Sequence, residues 1–227
     1  MVNKMNKKTK SILILTYIIV SISAFVTMLV VPSLNEQFKK WSTEIPYIMG
    51  FIKFSLLATA GELIAVAISK KQFDLPVKIV WRFIIWGFIG IWITFMMKVN
   101  SYAVNSLMSQ GLLPGGDSRF LSAFYTSVIM NTTFGPTFMA VHKITDKILD
   151  LKANKEKVTL NSVIKGIDWT SFWGFTILKT VPLFWIPAHT VTFMLPSEYQ
   201  VVMAATLSIA LGIILSLGNR NKNKEKN

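Results

Sequence analysis

The chain has 227 residues, 52% of them apolar, and a formal net charge of +13. A soluble nucleic-acid binder spreads such charge over a polar surface; here Lys and Arg lie between long apolar runs, which excludes nucleic acid as a partner and points to a polytopic membrane protein. With no cysteine there are no disulfides, thiolate metal sites or Cys nucleophile, and His142 and His189, without a matched set of carboxylates, do not make a metal centre.

A membrane-spanning helix needs about 20 predominantly apolar residues. Six segments meet that need, at residues 11–31, 47–68, 77–97, 119–143, 170–194 and 198–217. The first follows a Lys-rich start, is longer than the apolar part of a leader peptide and has no small-x-small cleavage site close behind it, so it reads as a span.

The second segment carries Lys53 and Glu62 and the third carries Arg82. If these two spans are antiparallel, a rise of about 1.5 Å per residue puts Glu62 about 9 Å and Arg82 about 7 Å from the inner boundary, at a shared depth. Ala58 and Ala65 stand four before and three after Glu62, so the carboxylate shares a face of small residues of the kind that packs helices together in membranes. Glu62 therefore points at protein, either to tie two helices together through Arg82 or to line a watery path. Lys53, like His142 in the fourth segment, lies close enough to a span end to reach the headgroups along its aliphatic stem.

The connection 98–118 ends in Leu113-Pro114-Gly115-Gly116-Asp117, which is turn chemistry. The fourth segment is rich in Ser and Thr and includes Asn131. The stretch 144–169 is basic and is expected to form a short amphipathic helix on the inner surface. In the fifth segment Pro182 and Pro187 predict a kink, and Lys179 lies about 13 Å from the inner side by the same helical rise, near the midplane. In the sixth, Ala204, Ser208, Gly212 and Ser216 recur at four-residue intervals, a packing stripe for another helix of the chain or for a second copy. Trp41, Trp81, Trp169 and Trp173 fall near span ends, as interfacial anchors do.

Charge in the connections orients the chain. Placing the N-terminus inside puts seventeen Lys and Arg residues in inner segments and four, Lys39, Lys40, Lys98 and Arg119, in outer ones. Both termini are then cytoplasmic. No phosphate-binding glycine loop, nucleophile elbow or zinc-protease motif is present, so no enzymatic activity and no cofactor are implied.

The stretch Trp185 to Gln200, "WIPAHTVTFMLPSEYQ", resembles the signature of the Mpv-seventeen/PMP-twenty-two family of small peroxisomal and mitochondrial inner-membrane proteins. Trp185, Phe193, Pro196 and Tyr199 match it, while His189 stands for a Gln, Thr192 for an Asn and Gln200 for an Arg; Pro187 is displaced and the spacing from Phe193 to Pro196 is one residue short. "NTTFGP", Asn131 to Pro136, is similar to the family's Asp-Gln segment ending in proline, Gly61-Glu62 to its Gly-Asp, and Arg82, Gly87 and Gly90 to its Arg and paired glycines. The family's Gly-Pro, His and Trp-Tyr motif is largely missing. The resemblance covers residues 46–217 and implies a channel-like membrane protein, with Glu62 at the family's acidic position and Arg82 or Lys179 as its partner.

Taken together, the sequence predicts an all-α, polytopic transmembrane helix bundle of about six spans. Residues 1–227 form one membrane domain in which 11–31 is an extra N-terminal span before the core 46–217. A small-solute channel or facilitator is expected in a cell membrane, and the abundance of Lys, Asn and Ile favours a bacterial cytoplasmic one. Its partners would be the lipid bilayer and a small solute or ion, with a second copy docking through Ala204, Ser208, Gly212 and Ser216. Glu62, Arg82 and Lys179 would set the electrostatics of the path, with Asn131 and His189 beside them. The rival readings are a substrate-capturing subunit of a multi-component importer, and a structural or assembly protein that transports nothing.

Overall fold

The computed structural model describes residues 6–224 apart from 74 and 77, with side chains described as far as residue 214. Every regular element among the described residues is a helix: α1 (Lys7–Val30), α2 (Pro32–Glu44), α3 (Pro46–Lys70), α4 (Ile79–Ser109), α5 (Arg119–Ala153), α6 (Leu160–Lys165), α7 (Trp169–Ser171), the π-helix π1 (Phe172–Trp185), α8 (Ile186–Phe193) and α9 (Ser197–Lys224). Four are long and apolar enough to cross a membrane: α1, α3, α4 and the part of α9 from Ser197 to Ile214. They correspond to the first, second, third and sixth apolar segments.

Helix α2 occupies most of the stretch between the first and second apolar segments. Pro32 and Pro46 each stand in the first turn of a helix, where a missing N–H costs nothing and a fixed φ favours the helical start. A single residue, Ile45, separates α2 from α3. Helix α4 likewise runs on to Ser109, well beyond the expected end of the third segment, so the turn is confined to residues 110–118. Gly111, Gly115 and Gly116 all have positive φ there, and at 72°, 118° and 53° these are conformations that favour glycine.

Helix α5 has 35 residues and absorbs the first part of the basic stretch, leaving only the six-residue α6 as a separate helix there. Its Ser and Thr content does not leave hydroxyls stranded. Thr126, Thr132 and Thr133 donate to the carbonyls of Ser122, Val128 and Ile129, each four residues back, so the helix satisfies its own polar side chains. The fifth segment is continuous but wound unevenly. The Ile186 N–H donates to the Val181 carbonyl, five residues back; Pro182 lies inside this wider winding, and Pro187 falls in the first turn of α8.

The chain forms two compact units, Met1–Gly90 with Val202–Asn227, and Ile91–Val201. In the first, α1, α2 and α3 pack on one another. Ile14 and Ile18 of α1 bury against Ala60 and Leu63 of α3, and Tyr17 donates to the Ser55 and Leu56 carbonyls. Helix α9 joins this unit closely: a Cβ on Gly61 would stand 2.9 Å from the Ile209 side chain and 3.0 Å from its backbone. Gly212, of the small-residue stripe, lies close to Ala65 and to the Gly61 carbonyl, and Ala204 is buried. At least part of the stripe is thus used within the chain, while the Ser216 side chain lies outside the described residues. In the second unit α5 packs against α6, π1 and α8.

Candidate functional site

Each unit holds a buried polar centre that brings together expected site residues. In the first, Arg82 Nη1 of α4 donates to Glu62 Oε1 of α3 at 2.9 Å, and Trp86 Nε1, one turn beyond Arg82, donates to Glu62 Oε2 at 3.2 Å. The Arg82 side chain is 9% exposed and that of Glu62 20%. Both carboxylate oxygens are engaged, by a guanidinium and by an indole. The pairing with Arg82 follows from depth along antiparallel helices. Trp86 was not singled out from the sequence, although its place four residues after Arg82 puts it on the same face.

Close helix approach joins the same two helices further along. Cβ atoms on Gly87 and Gly90 would collide with the Phe51 ring and with the Gly50 carbonyl and Phe54, so the glycines of α4 let α3 approach roughly two to three turns before Glu62. Of the small residues expected on the Glu62 face, Ala58 is buried and Ala65 is half-buried, beside Gly212 of α9.

In the second unit Asn131 of α5 and His189 of α8, 58 residues apart, meet with Oδ1 and Nδ1 3.1 Å apart. Asn131 Nδ2 donates to the Ser127 carbonyl at 2.8 Å and lies 3.3 Å from Ser127 Oγ. The amide nitrogen being committed as donor, Oδ1 is the acceptor that faces the ring. His189 Nδ1 then carries a proton, and in the neutral ring Nε2 is an acceptor. Ser127 Oγ in turn donates to the Ile186 carbonyl at 2.7 Å, tying α5 to the start of α8. Asn131 is 3% exposed and His189 8%.

The His189 ring stacks on the Trp185 indole, with centroids 5.2 Å apart and planes at 29°. Trp185 Nε1 is fully buried and has no hydrogen-bond partner among the described residues. A buried donor without a partner costs about 1–3 kcal/mol, so this N–H calls for an explanation. Neither Ser127 nor the Trp185 N–H was picked out as a site from the sequence; the four-residue spacing of Ser127 from Asn131 was the available signal.

Other expected site residues are placed as follows. Lys179 is exposed on π1, beside Leu178 at 70% exposure, and does not sit in the buried polar centre of its unit. Lys53 departs from the snorkelling expectation. It is 1% exposed, donates from Nζ to Ser42 Oγ of α2 at 2.8 Å and lies 4.4 Å from the centre of the Phe38 ring, so it clamps α2 to α3. His142 is partly buried, its Nδ1 3.6 Å from Asp146 one turn on. Of the motif residues, Trp185 and Phe193 are buried, Pro136 lies inside α5, and Pro196 separates α8 from α9, its carbonyl accepting from the Tyr199 N–H. Of the four tryptophans expected as interfacial anchors, Trp41, Trp81 and Trp173 are exposed, whereas Trp169 is partly buried and donates from Nε1 to the Ile164 carbonyl at 2.9 Å. No cluster of metal-ligating side chains occurs among the described residues.

Compared with protein-family models, with curated proteins and with solved structures, the chain matches none.

Proposed function

We propose that this is an integral membrane protein that lets a small polar solute or ion cross, a channel or facilitator akin to the Mpv-seventeen/PMP-twenty-two proteins that its motifs resemble. In this reading the six apolar segments cross the membrane, both termini are cytoplasmic, and the membrane is a bacterial cytoplasmic one. The supporting observation is the buried indole N–H of Trp185 beside the His189–Asn131 pair. A donor held in an apolar bundle without a protein partner persists where water or a passing solute supplies one. Together with the Nε2 acceptor of His189 it offers a hydrogen-bonding solute both a donor and an acceptor.

A structural role without transport is favoured by a different observation, the closure of the Glu62 carboxylate by Arg82 and Trp86, which leaves each oxygen engaged. Efflux of small dyes and ions from proteoliposomes separates the two readings. Under the transport reading the wild type leaks solute and Trp185→Phe, at matched folded amounts, lowers the leak. Vesicles that stay tight with wild-type protein overturn it and leave the structural role.

A further inference from the structure

A separate feature of the first unit is a cavity of about 630 Å³ between α1 and α3. That size is within the roughly 300–1,000 Å³ of small-ligand sites. Leu15 and Ile18 of α1 and Ile64 and Ile68 of α3 form its walls, and Lys71 and Gln72, just past the end of α3, close one end. Leu15 is 44% exposed, so the cavity opens sideways, on the face of two helices long and apolar enough to lie in a membrane.

The closed end is strongly basic. Because Ile14 and Ile18 pack on Ala60 and Leu63, the start of α1 and the end of α3 lie at the same end of the pair. Lys7, Lys8 and Lys10 begin α1, Lys70 ends α3, Lys71 and Lys78 follow it, and Asp74 is the only acidic residue in the sequence between Glu62 and Asp117. Phe73 and Leu75 pack against the Ile14–Leu63 cluster, just past the end of α3. Lys71 and Gln72 line the closed end.

We propose that this groove binds an anionic glycerophospholipid of the surrounding membrane, with an acyl chain between α1 and α3 and the phosphate at Lys71 and Gln72. An ammonium and a side-chain amide both donate to phosphate oxygens, and the neighbouring lysines add field that favours negative headgroups. A free phosphate would leave the apolar walls uncovered. An uncharged apolar molecule would make no use of the basic end. The site is independent of the transport reading, since it uses neither Glu62 nor His189.

The test is native mass spectrometry of the full chain released from nanodiscs made of equal parts phosphatidylglycerol and phosphatidylcholine. Wild-type protein is expected to retain phosphatidylglycerol enriched severalfold over the bulk mixture. Joint Lys70→Gln, Lys71→Gln and Lys78→Gln substitution should return the retained lipid to the bulk ratio. Ala67→Trp, which fills the groove from α3, should remove retained lipid with helical content unchanged; Ile64→Phe serves the same purpose if that variant fails to fold. The proposal is overturned by a bulk ratio in the wild type, by undiminished retention in the groove-filled variant, by complete displacement of lipid by inorganic phosphate, or by a dimer that carries no lipid.

Discussion

Asn131 and His189 meet at 3.1 Å in the interior of their unit, and the bond joins α5 to α8 across 58 residues of sequence. Asn131 also holds the Ser127 carbonyl, and Ser127 holds the Ile186 carbonyl, so three polar side chains position the start of α8 against α5. Hydrogen bonds between helices in membranes contribute about 0.6–2 kcal/mol each.

Asn131→Leu should therefore lower stability by about 1–2 kcal/mol, because it removes the bond and strands His189 Nδ1. Adding His189→Phe should recover part of that loss, since no polar group is then left without its partner. Unfolding titrations of the two single variants and the double variant in mild detergent give the coupling. Additive losses would show that the pair is not energetically linked.

Trp185→Phe keeps an aromatic ring against His189 and deletes the N–H that has no hydrogen-bond partner among the described residues. Stability should change by less than about 1 kcal/mol, because the deleted N–H makes no hydrogen bond to a described residue. Solute efflux should fall in the same variant. A clear drop in melting temperature would mean that the indole N–H is bonded in the folded protein.

Removing the Glu62 charge takes the 2.9 Å ion-pair partner from the buried Arg82 guanidinium. Breaking a buried pair from one side costs about 3–5 kcal/mol, whereas replacing both members by apolar residues is often near neutral. Glu62→Leu alone should be strongly destabilising, and Glu62→Leu with Arg82→Met should restore most of the loss. Chemical denaturation of the set reads this directly, and equal stability of all variants would show that solvent screens the pair.

Gly90→Ala should destabilise more than Gly212→Ala. A Cβ on Gly90 collides with the Gly50 carbonyl, which a helix backbone cannot withdraw, whereas one on Gly212 meets Ala65 Cβ at 3.4 Å and the Gly61 carbonyl at 3.7 Å, both ordinary contacts. Overpacking of this kind costs about 1–3 kcal/mol, while the ordinary contact costs little. Thermal melts of the two variants in the same detergent check the order.

Lys179→Met should change stability by less than about 0.5 kcal/mol, as expected for an exposed side chain away from a network. A large loss in the melt would place Lys179 in a contact that its exposure does not show.

Apolar run length, proline position and helical rise are local properties, and they were legible in the chain. They foretold an all-helical protein, the turn at Gly115 and Gly116, and the common depth of Glu62 and Arg82; of the six expected spans, four are helices long and apolar enough to cross a membrane. The common depth follows because a rise of about 1.5 Å per residue turns sequence distance into depth with no knowledge of packing. Which way a side chain faces is another matter. A helix that is apolar nearly all round has no stripe to mark its inner face, so sequence could not say that Lys179 is exposed or that Lys53 is buried under α2. Only tertiary packing brings Asn131 to His189, or seats Trp86 on the second oxygen of Glu62. Such contacts depend on the rotation and approach of neighbouring helices, which small residues such as Gly61, Gly87 and Gly90 permit but do not by themselves determine.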